Sequence, residues 1–411
     1  MNRLIMRQTI VALGVFLLVI SGCARIKKLP PPTVDTALVP VHKSDFPAFN
    51  DDLHYDGLAI AISQSLAYLG TVPPDKVFRY GPDTYTAAHV VRSLNVFLAK
   101  IKEKPAADRL TNFLKSKYLI YRSLGKNEEG EVLFTGYYEP LLKGSLIRRQ
   151  AYQYPVYGRP DDLVTVDLSR FGEKYKGERL VGRVTGKTLV PYHDRSQIEE
   201  KNALDGKAPI LAWVDDPVAL FFLQIQGSGK IQVDNGEFIN AHYHVTNGHP
   251  YRSIGRLLIE EGTIPRENMS MQAIRAYLES HPERMHEVFN HNPSYVFFIA
   301  ADDGPLGYLN VRLTAGRSLA TDRRLFPPAS LAMVQTEKPI VDQSGKIERW
   351  IPFSRFLLNQ DTGGAIRGTG RADLFWGNGP YAEIAAGYMQ HPGRFYFFIL
   401  KPDKAYKRTL N

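Results

Sequence analysis

Three aspartates near the C-terminus carry side chains that could do acid–base chemistry. They are Asp322 in "SLATDRRLFPP", Asp361 in "NQDTGGAIRG" and Asp373 in "RADLFWG". Asp373 differs from the others because the apolar triplet Leu-Phe-Trp follows it directly. Apolar neighbours disfavour an ionised carboxylate, and a carboxylic acid that keeps its proton near neutral pH can protonate a leaving oxygen. Asp373 is therefore a candidate general acid.

The other two aspartates also have local explanations. Asp361 precedes Gly363 and Gly364, so its side chain can fix a turn by accepting backbone amides. Two arginines follow Asp322 directly, and an ion pair with one of them is a structural alternative to a catalytic role.

Metal, nucleotide and serine-nucleophile chemistries find little support in the sequence. It contains neither Cys-x-x-Cys nor His-Glu-x-x-His. His242 and His244 would share one face of a strand and form a possible metal pair, but no third ligand is close, which favours packing or surface roles. "GGAIRGTG" lacks the Lys-Ser/Thr of a phosphate loop, and "QGSGK" lacks the spacing of a nucleophile elbow. We expect no metal and no cofactor.

The elements that must position these residues fall into alternating helical and β-rich stretches. Apolar residues recur at helical spacing from Leu58 to Leu69, from Val90 to Ile101 and from Leu110 to Leu114. From about Glu131 the segments become short, β-branched and aromatic, with Gly and Pro between them, which is typical of strands. "PVALFFLQIQGSGKIQV" is interpreted as a strand, a break and a strand, and "YLNVRLT" as a strand.

The order of these stretches predicts the fold class. Helical patterns return within residues 251–289, and strand patterns follow to the C-terminus. No regular βαβ alternation exists, so a doubly wound parallel sheet is not expected. The sequence predicts a mainly β protein with packed helices, organised as two β domains.

The N-terminus is typical of a secreted and lipid-anchored chain. Arg3 and Arg7 precede the apolar run Ile10–Ile20, which is too short to span a bilayer but suits a signal peptide. The run ends in "ISGC", which resembles the bacterial lipoprotein signal, and Cys23 is the chain's only cysteine. The resemblance implies cleavage before Cys23 and acylation of its thiol. With Ala24 as the next residue, it implies an outer-membrane lipoprotein facing the periplasm.

The net charge and the composition limit the classes of binding partner that are expected. The chain has 411 residues and a formal net charge of +9, and removal of residues 1–22 removes two arginines, which leaves +7. This charge favours anionic surfaces or polyanions, and an envelope location argues against nucleic acid. The segment "KKLPPPTVD" predicts an extended tether over residues 23–50.

Several longer motifs resemble one enzyme family. The segments with the three aspartates are similar to the three-aspartate domain of bacterial lytic transglycosylases. The segments "FTGYYEP", "LVPYHDRSQIE", "FFLQIQGSG", "NGHPYRSIG" and "MSMQAIRAYLESHP" resemble the rest of one family, membrane-bound lytic murein transglycosylase A. The similarity runs in order from about residue 50 to 400.

The resemblance implies a fold and an activity. The fold would be a double-psi β-barrel built from both ends of the chain, with an inserted second β-barrel-like domain. The division would be a signal peptide at 1–22, a tether at 23–50, a catalytic barrel at 51–133 and 294–411, and an insert at 134–293. The activity would be cleavage of the β-1,4 bond between N-acetylmuramic acid and N-acetylglucosamine in peptidoglycan glycan strands, with a 1,6-anhydro product.

The resemblance also assigns roles to the aspartates. Because the 6-hydroxyl of the sugar replaces water as nucleophile, one carboxyl can act as acid and then as base, and this role falls to Asp373. Asp361 would support it or fix the turn. Asp322 would stabilise positive charge on the sugar ring or serve only the structure.

Substrate contacts are implied at two further motifs. They are Thr135 and Tyr137 in "FTGYYEP", and Gln226 and Ser228 in "QIQGSGK". Hydroxyl and amide side chains suit hydrogen bonding to sugars. For Thr135 and Tyr137, a plain role as strand residues stays open.

Two other functions remain as alternatives. A two-carboxylate muramidase would use Asp373 as acid with Asp322 or Glu139 as partner, since ordinary glycosidases need a carboxyl pair. A non-catalytic lipoprotein that binds peptidoglycan would need neither. The sequence does not identify partners in a wall-synthesis complex.

Overall fold

The structure is a computed structural model that describes residues 32–127 and 129–402. The predicted signal peptide and Cys23 lie outside these residues. Across the described ranges, no helix has the length and apolar character needed to cross a membrane.

The described chain contains both strands and helices. In chain order the strands are β1 (Leu38–Pro40), β2 (Val77–Tyr80), β3 (Asp83–Thr86), β4 (Tyr118–Ser123), β5 (Val132–Tyr137), β6 (Leu141–Ser145), β7 (Tyr154–Tyr157), β8 (Val164–Asp167), β9 (Arg179–Thr185), β10 (Thr188–Pro191), β11 (Ile210–Val214), β12 (Ser228–Val233), β13 (Phe238–Thr246), β14 (Val296–Ala301), β15 (Ser318–Ala320), β16 (Leu331–Val341), β17 (Ile347–Asp361), β18 (Arg371–Phe375) and β19 (Gln390–Leu400). The α-helices are α1 (Leu58–Gly70), α2 (Ala87–Lys102), α3 (Ala107–Lys117), α4 (Arg195–Glu199), α5 (Pro217–Gln226), α6 (Ile254–Glu260), α7 (Met271–Ser280), α8 (Met285–Asn290) and α9 (Pro380–Tyr388).

Six strands close into a barrel. Their order is β19-β16-β17-β15-β18-β5, and pairing of β5 with β19 completes the circle. The β15–β17 and β18–β5 pairs are parallel, and the other pairs are antiparallel. One barrel strand comes from the N-terminal part of the chain and five come from the C-terminal part. The fold class is confirmed: a mainly β protein whose barrel is built from both ends of the chain.

The three N-terminal helices form where periodicity predicts them, and they help to enclose the barrel core. Thr86 caps α2 by accepting the backbone amide of His89, and the stripe Val90, Leu94, Phe97 and Ile101 is buried. Complete burial of each such side chain contributes roughly 1.5–3 kcal/mol. This buried stripe packs α2 onto the same core as the barrel strands.

A second sheet lies between the two halves of the barrel sequence. Its order is β14-β13-β12-β6-β11-β7, and a bridge between Gly158 and Phe298 links its two ends, which gives it a barrel-like form. The chain leaves the first barrel after β5 and returns to it at β15. The predicted insert boundary at 134 falls within β5, and the boundary at 293 falls just before β14, which still belongs to the second sheet.

Two strand predictions inside this region are wrong. Residues 217–226 form helix α5, because Asp216 accepts the amides of Val218 and Ala219, Pro217 occupies the first turn, and Gly227 ends the helix at φ 81°. The segment "YLNVRLT" forms a loop with one isolated bridge, between Leu306 and Arg312.

The predicted tether also differs from the structure in its second half. Strand β1 pairs antiparallel with β4, Ala37 and Phe49 are buried, and the Phe49 ring lies 5.7 Å from that of Phe398. Apolar side chains after the proline run therefore join the core, and the globular unit begins by Ala37.

Candidate active site

Strand register brings two of the three predicted aspartates into one row across the barrel. Ala320 on β15 lies opposite Asp361 on one side and Asp373 on the other. Asp373 in turn lies opposite Thr135 on β5, which pairs with Gln390 on β19. Two carboxyls are thus separated by a strand that presents only a methyl group at this position.

Asp373 lies in a polar environment rather than against the expected apolar triplet. Leu374 is buried on the opposite face of the strand, since successive side chains alternate. Thr135 Oγ1 donates a hydrogen bond to Asp373 Oδ1 at 2.5 Å, and Arg371 Nε donates to the same oxygen at 3.1 Å. The contact to Oδ2 given by the described residues is Arg371 Nη2 at 3.5 Å, so this oxygen is the more open of the two.

Asp361 ends β17 and has both oxygens occupied. Oδ1 accepts the backbone amides of Thr362 at 2.8 Å and Tyr308 at 2.9 Å, and Oδ2 accepts the Tyr137 hydroxyl at 2.9 Å. Burial, with a smaller contribution from the negative charge of Asp373, outweighs these hydrogen bonds and raises the pKa of Asp361 from 3.8 to about 6. Burial therefore favours the protonated form of Asp361.

Tyr137 links the aspartates to the cleft. Burial first, and then the adjacent Asp361 carboxylate, raise the pKa of Tyr137 well above its ordinary value, so its hydroxyl remains a donor. Its ring lies 5.1 Å from that of Phe375, the last residue of β18.

A cleft of about 230 Å³ opens beside Asp361. It is lined by residues from the barrel and from the second sheet, together with the loop that leads from β14 to β15. The lining residues are Tyr137, Tyr138, Glu139, Gln226, Ser228, Pro305, Leu306, Leu313, Asp361 and Phe375. Three predicted substrate-binding residues, Tyr137, Gln226 and Ser228, therefore share one cleft with Asp361.

Gln226 and Ser228 reach the cleft through a tight helix-to-strand turn. Gln226 ends α5 and Ser228 begins β12, with Gly227 between them in the left-handed region. Gln226 Oε1 accepts the backbone amide of Tyr138 at 3.1 Å, and Ser228 Oγ lies 3.0 Å from His242 Nδ1.

Glu139, the other candidate carboxyl, also lines this cleft. Its side chain is buried, accepts a hydrogen bond from Asn378 Nδ2 at 3.0 Å, and lies 3.8 Å from Lys230 Nζ. Lys230 balances the charge of the carboxylate and Asn378 holds it in place, as expected for a buried carboxylate with a structural role.

Asp322 does not join the row. Its buried carboxylate accepts Arg324 Nε at 2.9 Å and Nη2 at 2.7 Å, and the backbone amide of Gly368 at 2.9 Å. Burial alone would raise the pKa of Asp322, but these hydrogen bonds outweigh it and lower the pKa to about 2. The contacts of Asp322 favour the structural alternative.

The predicted histidine pair belongs to strand β13. Burial and the proximity of His244 lower the pKa of His242, which suits a neutral ring beside Ser228. Among the described residues, no group of three His, Cys, Asp or Glu side chains is placed to hold a metal ion.

Sequence reasoning missed two groups at the site. Arg371 precedes Asp373 by two residues, the spacing that puts both side chains on one face of a strand, so periodicity could have found it. The backbone amide of Tyr308 comes from a loop 53 residues from Asp361, and the sequence carries no signal for that contact.

Two carboxyls in one row across the barrel, one of them lining an open cleft, are typical of an acid–base enzyme. Two family models match the chain: "MltA specific insert domain" over residues 133–299 and "3D domain" over residues 317–399. The chain is 34% identical over 281 residues to membrane-bound lytic murein transglycosylase A of Escherichia coli (strain K12), which covers 68% of each chain. It is 30% identical over 275 residues to the protein of that name from Vibrio cholerae, covering 66% of each chain.

Solved structures agree with these sequence matches. A membrane-bound lytic murein transglycosylase from Agrobacterium tumefaciens superposes with a TM-score of 0.72 at 30% identity, covering 90% of this chain and 99% of that one. E. coli MltA with bound chitohexaose gives a TM-score of 0.67 at 25% identity, covering 92% and 98%. The chain belongs to the membrane-bound lytic murein transglycosylase A family, as the motifs predict.

Proposed function

We propose that Asp373 acts first as the acid and then as the base of a non-hydrolytic cleavage of peptidoglycan. Membership of the family makes the chain a peptidoglycan lytic transglycosylase. The roles of individual residues are the proposal, and the openness of Asp373 Oδ2 is the observation that carries it.

The comparison of the two carboxyls supports this choice. Asp361 accepts three hydrogen bonds, including two from rigid backbone amides, so both of its oxygens are held. Asp373 is fixed through Oδ1 by Thr135 and Arg371, while Oδ2 can carry a proton toward a bound glycan. A general acid must come within hydrogen-bond reach of the oxygen that it protonates, and Oδ2 is the Asp373 oxygen with fewer partners in its way.

The reaction then needs one carboxyl. The Oδ2 proton passes to the oxygen of the β-1,4 bond, whose electron pair leaves C1 of N-acetylmuramic acid. The C6 hydroxyl of the same sugar attacks C1 and gives its proton to the Asp373 carboxylate. A 1,6-anhydro ring forms, the acid is regenerated, and no water is consumed. A conventional glycosidase would need a second carboxyl as nucleophile or base.

Asp361 and Tyr137 support the acid electrostatically. The charge of Asp373 contributes to the raised pKa of Asp361, so simultaneous ionisation of the two carboxyls is disfavoured. Tyr137 holds Asp361 in place through its hydroxyl. Thr135, expected as a substrate contact, also donates a hydrogen bond to Asp373 and would orient it.

The cleft between the barrel and the second sheet would bind the glycan strand. Tyr137, Gln226 and Ser228 line it, and their hydroxyl and amide groups suit sugar hydroxyls. A related structure of E. coli MltA contains chitohexaose, a linear sugar chain. We assign the catalytic domain to the barrel and the second glycan-binding wall to the insert, with predicted boundaries at 133/134 and 293/294.

The proposal includes the location of the enzyme in the cell envelope. Relatives carry the description membrane-bound, and acylation of Cys23 would attach this chain to the outer membrane on its periplasmic side. There the enzyme would act on peptidoglycan strands.

The test is the product made by matched asparagine variants. Purified sacculi are digested with wild-type, Asp373→Asn and Asp361→Asn protein, and released muropeptides are weighed. We expect anhydro ends from wild type and loss of release with Asp373→Asn at unchanged circular dichroism. Reducing ends from wild type would support the muramidase, and near-normal release by Asp373→Asn would remove the assignment. Abolition by Asp361→Asn alone would transfer the role to Asp361.

A further inference from the structure

The three-stranded sheet of β8, β9 and β10 has an apolar outer face. Val181 on β9 packs against a core cluster, so its neighbours in the alternation point outward. Leu180 lies opposite Val166, and Val184 lies opposite Leu189. These four side chains share the outer face, which we call the β9 face.

The β9 face is open to solvent. Leu180 is 50% exposed and Val184 is 60% exposed, so the described residues leave at least half of each one open. Phe171, at the end of the 3₁₀ turn after β8, is 71% exposed. Contiguous exposed apolar side chains, as on the β9 face, can mark an interaction site.

The same stretch of chain is basic. Residues 164–191 contain six Lys and Arg against three Asp and Glu, a net charge of +3. The cations are Arg170, Lys174, Lys176, Arg179, Arg183 and Lys187. Five of them are exposed and Arg183 is half-buried. By the same alternation Arg179 and Arg183 lie on the Val181 side of β9, whereas Lys187 lies in the turn between β9 and β10 and the other three lie in the turns after β8. Positive charge therefore flanks the sheet.

We propose that the β9 face docks the globular unit onto an anionic phospholipid bilayer. Apolar side chains that enter the headgroup boundary, with cations drawn to acidic lipids beside them, are the features of interfacial binding. Lys and Arg side chains can extend their charges to the headgroups while their stems stay apolar.

The length of the tether favours lipid over another partner. From Cys23 to Ala37, the first buried residue, there are fourteen residue steps, and an extended chain covers at most about 3.5 Å per step. Acylation of Cys23 would therefore hold the globular unit within about 50 Å of the bilayer. At that distance the effective concentration of the β9 face at the bilayer is high, so even a low intrinsic affinity for lipid gives binding.

The inference goes beyond the proposed catalytic roles. None of the β9-face residues lines the cleft, so the membrane contact does not depend on which carboxyl is the acid. It uses the proposed acylation only as the source of proximity.

A unique fluorescent label can test the contact in the lipidated full chain. Cys23 is the only native cysteine and its thiol is blocked by acylation, so Val184→Cys accepts a single environment-sensitive dye. Ile60→Cys on α1 is the matched control, since Ile60 is also exposed. Both proteins are placed in vesicles of equimolar phosphatidylcholine and phosphatidylglycerol with brominated acyl chains.

We expect the dye at Val184 to be quenched by the brominated chains severalfold more than the dye at Ile60. Lys187→Glu with Arg170→Glu, or vesicles of phosphatidylcholine alone, should reduce that quenching at least twofold. Release of soluble glycan products should stay unchanged in these variants, which separates failure of docking from failure of catalysis. Equal quenching at both positions would overturn the proposal. A blue shift of the dye at Val184 that grows with protein density, without quenching by lipid, would also overturn it, because it would indicate contact between protein molecules.

Discussion

Asp322→Asn is expected to weaken the fold while the enzyme keeps its chemistry. The buried carboxylate is held by Arg324 and by the amide of Gly368, and its pKa falls from 3.8 to about 2. That difference corresponds to about 2 kcal/mol of folding free energy. Arg324 is itself largely exposed, so solvent screening reduces the expected loss to about 1–2 kcal/mol.

The sign of the pH dependence follows from the direction of the shift. Because the folded-state pKa of Asp322 lies below its ordinary value, its stabilisation is complete above about pH 5. The stabilisation is lost as the pH falls from 3.8 towards 2. The difference between wild type and Asp322→Asn should therefore be constant from pH 8 to 5 and shrink below pH 4.

Urea unfolding followed by circular dichroism measures the free energy, and release of anhydro muropeptides from sacculi measures activity. Arg324→Gln is the matched variant, since it removes the same ion pair from the other side. The double variant should lose less than the sum of the two single losses. If Asp322→Asn unfolded like wild type and yet released no product, Asp322 would act in the chemistry and the structural reasoning would be refuted.

Three further predictions follow from the site. Asp361 has a raised pKa, so its contribution to stability is complete below pH 3.8 and is lost as the pH rises through about 6. The free energy of unfolding of wild type should therefore rise as the pH falls from 7 to 5, and Asp361→Asn should flatten that rise by at most about 3 kcal/mol. Thr135→Val removes the donor to Asp373, and kcat should fall about 10- to 100-fold at unchanged melting temperature; an unchanged kcat would show that the hydrogen bond is dispensable. A Cβ at Gly136 would lie 2.7 Å from the backbone of α9, so Gly136→Ala should cost about 1–3 kcal/mol in thermal unfolding, whereas Gly364→Ala, which meets open space, should be neutral.

Local signals in the sequence predicted elements whose pattern is unambiguous. The repeat from Leu58 to Leu69 has the helical period, and α1 covers those residues. The apolar run in α5 has no period that separates helix from strand, and the interpretation as a strand failed there. The helix-start signals Asp216 and Pro217 were nevertheless present and would have decided the question.

The sequence predicted which residues belong to the site better than it predicted what surrounds each of them. The motifs around Thr135, Gln226 and Asp373 identify residues that the structure places around one cleft and its neighbouring strands. The buried setting of Asp361 was not predictable, because Tyr137 lies 224 residues away in sequence. Likewise, the apolar neighbours of Asp373 suggested desolvation, but strand alternation turns Leu374 to the opposite face.

The pairing of β5 with β18 has a consequence for the stage of synthesis and folding at which the enzyme becomes active. Thr135 and Asp373 meet across 238 residues, and the barrel closes only when β19, the last strand described, pairs with β5. Such distant contacts form late, since the intervening chain must first be brought together. A growing chain can complete α1, α2 and the second sheet and still have no acid opposite Thr135. With Asp373 as the proposed acid, an enzyme able to cut its own cell's wall is inert until nearly all of it has been made.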